Sequence, residues 1–189
     1  MDLLRTVVWR NLNDPGTEYC RLFHTATGVR LEGHVIVALN HAPLDVQYQV
    51  ACDMHWRTQA VTVEVSQGAL SRRLQITVDH DQTWWANGDE IERLRGCQDV
   101  DLAVTPSTNT LPIRRLDLPI GNTDDVVAAW VRFPELELEP LPQSYTRLAK
   151  TLYRYESDSG RFTTQLEVDE LGLVVRYARG WQREAVSTG

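Results

Sequence analysis

Two carboxylates, Asp99 and Asp101, open the segment DVDLAVTPSTNTLPIRRL (99–116), and two guanidinium groups, Arg114 and Arg115, close it. In an extended chain, residues two apart project to the same face, and paired carboxylates on one face are a way to build acid/base catalysis of sugar bonds. The same four charges can instead neutralise one another across a loop, as structural ion-pair networks do. Between them, Thr105, Ser107, Thr108, Asn109 and Thr110 offer short polar side chains to backbone groups that no strand ladder satisfies, while Pro106 and Pro112 stiffen the run. The segment is predicted to be an ordered loop and strand entrance beside a cavity.

Other chemistry is sparse. The sequence has no G-x-S-x-G elbow, no H-E-x-x-H, no phosphate loop and no G-x-G-x-x-G. His34 and His41, the nearest approach to a histidine cluster, have no established metal spacing, so neither a metal nor another cofactor is expected. Cys20, Cys52 and Cys97 are far apart and odd in number, which suits core packing in a reducing compartment better than a disulfide framework. Six tryptophans accompany strand-phase tyrosines at 48, 145, 153, 155 and 177. Such side chains combine an apolar body with a polar tip, which suits the wall of a sugar or lipid-headgroup cavity and equally an ordinary core. The pairs Arg72–Arg73 and Arg114–Arg115 could clamp a phosphate or carboxylate if they point inward.

These residues must be held by strands, because the dominant pattern along the chain has period two. From Leu44 to Met54, one face carries Leu44, Val46, Tyr48, Val50, Cys52 and Met54, and the other is mostly polar. The same alternation runs through 61–65, through 70–78 with Arg72 interrupting, and through 162–168. SQGA (66–69), ANGD (86–89), SDSG (157–160) and DELG (169–172) punctuate it as hairpin turns. Glu18–His24 and Val29–Leu39 form a further hairpin about TATG, with Gly33 expected to be a bulge or bend. Residues 124–133 fit a strand better than a helix, since Phe133 precedes Pro134 and is pushed toward extended geometry. Residues 143–155 fit either one.

About ten antiparallel strands must hide one apolar face. The predicted fold is all-β: a single curved sheet forming a half-open barrel, with at most one or two short helices. At 189 residues the chain suits one domain, with its core at about 7–182, and a chain of this size buries roughly 70% of its unfolded surface. No apolar run reaches the roughly 18 residues of a membrane helix, and the N-terminus lacks signal-peptide character, so a cytoplasmic protein without a transmembrane segment is expected. A net charge of −7 argues against nucleic acid as a partner. Oligomeric state is not legible.

The blocks YQVACDMHW (48–56), LRGCQDVDLAVTPSTNTLPIRRL (94–116), WVRFPELELEPLPQSYTRL (130–148), YRYES (153–157) and LEVDELGLVVRY (166–177) occur in an order that resembles the bacterial family named “Putative glycolipid-binding”. The likeness covers most of the chain, from about Trp9 to Trp181. It implies a half-open barrel similar in shape to bacterial lipoprotein carriers, and no established catalytic residues. The expected function is non-catalytic binding of a small amphipathic ligand, a lipid or glycolipid, in the apolar concavity of the sheet. Candidate ligand-binding residues are Asp53, Trp56, Asp99, Asp101, Asn109, Arg114, Arg115, Tyr145 and Tyr153. The alternatives are a small hydrolase using Asp99 and Asp101 on sugar or lipid substrates, and a protein-interaction module.

Overall fold

A computed structural model describes residues 1–189. Alternation sets the architecture, and Leu44, Val46, Tyr48, Val50 and Cys52 are all buried on one face of a single strand. A first antiparallel meander comprises β1 (Asp2–Asn11), β2 (Gly16–Thr25), β3 (Gly28–Leu39), β4 (Ala42–Asp53), β5 (Thr58–Gln67), β6 (Leu70–Val78), β7 (Trp84–Ala86) and β8 (Asp89–Glu90). The second half starts with β9 (Asp99–Leu102) and passes through the helix α1 (Thr110–Leu116). It continues as β10 (Thr123–Arg132), β11 (Glu137–Ala149), β12 (Leu152–Ser157), β13 (Phe162–Val168), β14 (Val174–Tyr177) and β15 (Trp181–Thr188). β9 and β10 are parallel, and the connection between them carries α1.

β15 pairs with β1, so the first and last strands stitch the two halves into one sheet of fifteen strands, with β8 and β9 at its edges. The edges curl toward each other without pairing as strands. Thr58 donates its backbone N–H to the Gln98 carbonyl (3.0 Å), and the Trp84 indole donates to the Cys97 carbonyl (2.9 Å). Forty buried residues from both halves share one apolar core inside the curve. Burying so much apolar surface is the main force holding the open sheet bent, since no closed ladder does so.

The curved, mainly antiparallel sheet is the predicted one, with more strands than the ten expected. Four of the fifteen are short: β7, β8, β9 and β14 span two to four residues, too few for alternation to declare itself. Residues 124–133 are a strand. Residues 143–155 are the end of β11 and the start of β12, with Ala149 paired to Leu152 across a tight turn. Their helical spacing is accidental, because Leu148 is exposed while Gln143 and Tyr145 are buried.

Two local expectations are corrected. Gly33 is not a bulge, since the register runs unbroken through it to both β2 and β4. The segment TPSTNTLPIRRL is not a loop. After Pro106 it winds into a 3₁₀ turn (Ser107–Asn109) that runs directly into α1.

Candidate functional site

The concave side of the sheet is occupied by the chain that follows β9. Leu102, Val104, Leu111 and Ile113 join the apolar core, and Thr105, Ser107, Thr108 and Thr110 are buried with them. Buried hydroxyls need partners, and those of Thr105 and Ser107 find them on the first half of the sheet. Thr105 Oγ1 lies 2.8 and 2.7 Å from the two carboxyl oxygens of Glu18. The Tyr48 hydroxyl lies 2.6 Å from Ser107 Oγ and bonds the Glu18 carboxyl. Burial raises the Glu18 carboxyl to about 8, against the opposing pull of the Tyr48 and Thr105 hydrogen bonds, so it carries a proton at neutral pH. Glu18 was missed in the sequence. Its one signal was phase: it shares the inward register of Cys20 and Leu22, where an acid is out of place.

Several predicted site residues are engaged by partners within the chain. Asp99, 1% exposed, is gripped by Arg115, whose Nε lies 3.1 and 3.2 Å from the carboxylate oxygens and whose Nη2 lies 2.5 Å from Oδ2. Burial raises this carboxyl and the guanidinium partly offsets the rise. Arg114 points elsewhere, stacking over the Trp56 ring at 5.4 Å and donating to the Glu170 carbonyl at 3.4 Å. Asp53 closes a turn, its Oδ1 accepting from the backbone N–H groups of His55 (2.8 Å) and Arg57 (2.9 Å). Asp79 and Asp169 close turns in the same way. Tyr153 is buried beneath the Arg147 guanidinium, 5.7 Å from its ring centroid.

Asp101, Asn109 and Tyr145 do come together. Gln143 on β11 donates its amide to Asp101 Oδ2 (2.6 Å), and the Tyr145 hydroxyl donates to Asn109 Oδ1 (3.1 Å). The Tyr145 ring packs on Tyr155 with centroids 5.1 Å apart. Beyond Tyr155 stands a triangle of rings: Tyr155, Phe162 and Tyr177 have centroids 6.1, 6.3 and 6.3 Å apart. Adjacent strands supply them, β12 and β13 at their paired ends and β14 next to β13.

Two adjoining cavities, of about 730 and 250 Å³, share Asp101, Ala103, Tyr155, Phe162 and Tyr177 as lining. The larger also takes in Trp130, Arg132 and Leu141, and the smaller reaches Asn109 and Trp181. Asp99 lines neither. Burial pushes the half-buried Asp101 carboxyl up to about 6, with the Gln143 hydrogen bond acting against the rise. At neutral pH the cleft therefore offers the Asp101 carboxylate as a hydrogen-bond acceptor beside the aromatic rings. This is a surface that can stack against a sugar or aliphatic ring and bond its polar edge.

Residues 6–183 match the family described as “Putative glycolipid-binding”. The crystal structure of a DUF1089 family protein from Pseudomonas aeruginosa superimposes with a TM-score of 0.83 at 31% identity, covering 89% of this chain and 92% of that one. No curated protein matches the sequence. No helix is long and apolar enough to cross a membrane.

Proposed function

This chain belongs to the “Putative glycolipid-binding” family, and on that premise we propose that it is a non-catalytic binder of an amphipathic ligand, a glycolipid by class. The observation that carries this reading is the joined cavity in which Asp101 faces the Tyr155–Phe162–Tyr177 triangle. The ligand's ring system lies against these aromatics, with a hydroxyl on Asp101, and its alkyl portion runs past Trp130 and Leu141. The deep concavity is filled by residues 102–116 and their apolar neighbours, so the ligand sits at the mouth of the curve.

Native mass spectrometry of protein purified from its own host tests the proposal. A retained amphiphile of defined mass is expected, displaced when Phe162 and Tyr177 are both replaced by alanine. Protein that carries nothing, and whose melting temperature is unmoved by a panel of neutral, anionic and cationic glycolipids, would overturn it.

A further inference from the structure

The charges around the ring triangle are unbalanced in one direction. The larger cavity is lined by three carboxylates, Asp101, Glu139 and Asp158, against one guanidinium, Arg132. Arg132 is already engaged, 3.5 Å from Glu139 and 5.3 Å above the Trp130 ring. Asp158 has Arg161 at 3.6 Å. Of these three carboxylates, Asp101 is the one that lacks a cation. Its side-chain partner is the neutral amide of Gln143; Arg95, the nearest arginine in sequence, pairs with Glu90, and Arg115 is committed to Asp99. Arg179 lines the smaller cavity without pairing with Asp101. A half-buried carboxylate without a counter-ion is costly to keep charged, and an arriving cation relieves that cost. Aromatic faces add to the same preference, because ring quadrupoles attract cations and repel anions.

We infer that the headgroup this cleft selects is cationic: an amphiphile with a protonated amine, such as an amino sugar, placed between Asp101 and the Tyr155–Phe162–Tyr177 triangle. The inference rests on the binding reading above and adds the ligand's charge to it. The ammonium group hydrogen-bonds the free side of the Asp101 carboxylate and lies against the rings, while the alkyl portion runs past Trp130. Neutral glycolipids of the same size keep the stacking and lose the ion pair.

The test compares octyl β-glucosaminide with octyl β-glucoside and octyl N-acetyl-β-glucosaminide, all below their micellar concentrations, by calorimetry at pH 7. These probes share one tail and differ at a single position. The glucosaminide is expected to bind about tenfold more tightly than either neutral probe. That preference should vanish in Asp101→Asn, which equalises the three affinities. The comparison among probes on the unaltered protein needs no variant, so a poorly folding Asp101→Asn does not blur it. Equal affinity for all three overturns the cationic assignment and leaves amphiphile binding standing. Preference for a neutral probe overturns it as well. Failure of all three to bind, with no shift from any amphiphile, overturns both.

Discussion

Gly33 and Tyr48 occupy one space. They are directly opposed on β3 and β4, and a Cβ built on Gly33 would stand 2.1 Å from the Tyr48 ring. The missing side chain lets the ring lie flat across the strand and deliver its hydroxyl to Glu18 and Ser107. A single methyl there must displace the ring or the strand.

Gly33→Ala is therefore expected to destabilise the fold by about 2–4 kcal/mol, the range for overpacking combined with a disrupted buried polar network. Tyr48→Phe leaves the space intact and removes only the hydroxyl, so it should cost about 1–3 kcal/mol. Urea denaturation of the two variants separates the steric from the polar contribution. If Gly33→Ala is neutral, the close approach does not matter.

Arg115→Met strands the buried Asp99 carboxylate and is expected to cost about 3–5 kcal/mol. Adding Asp99→Asn should recover much of that loss, because the uncompensated charge is gone. A double-mutant cycle measures the coupling. Additive losses would show that the pair is not a closed unit.

The Glu18 carboxyl gives stability a pH dependence of definite sign. Its ordinary value is 4.5 and its folded value is about 8. Between these values the native state holds a proton that the unfolded chain has released. Its contribution to stability is thus full below about pH 4.5, declines as pH rises, and is gone above about pH 8, at up to about 1.4 kcal/mol per pH unit. Asp101, raised from 3.8 to about 6, contributes in the same direction over the lower part of that window. Glu18→Gln keeps the neutral form at all pH values. Denaturation midpoints at pH 5, 6.5 and 8 should fall steeply for the natural protein and more gently for the variant; parallel curves would show that Glu18 is not the titrating group.

Phe162→Ala is expected to weaken binding of the retained amphiphile by about three- to tenfold, the scale of one lost aromatic contact. Arg114→Ala, which loses the Trp56 stack on the outside of the cleft, should leave that affinity unchanged. Fluorescence titration with the host-derived lipid reads both. The opposite order of effects would move the site to the Arg114–Trp56 surface.

What the sequence made legible follows from range. Alternation within β4, β5 and β13 is local, and it disclosed a curved antiparallel sheet without any knowledge of pairing. Asp99 and Arg115 were recognisable as a mutually satisfying pair because they lie within seventeen residues of one another. Glu18 and Thr105 are 87 positions apart, and nothing local to either announces the other. The ring triangle was hidden for a similar reason. Tyr155, Phe162 and Tyr177 belong to three strands, and only the register of β12, β13 and β14 brings them together. The turn role of Asp53 was not legible, because a carboxylate that closes a turn and one that meets a ligand have the same sequence signature.

The pairing of β1 with β15 has a consequence for synthesis. A nascent chain presents β1 with one bare edge until Trp181–Thr188 has left the ribosome, so the seam between the halves closes last, over a loop of more than 160 residues. Such non-local closure is slow, and an open strand edge in the meantime invites association with other chains. Assistance by a holdase during translation would then matter more to the yield of this protein than the strength of its finished core.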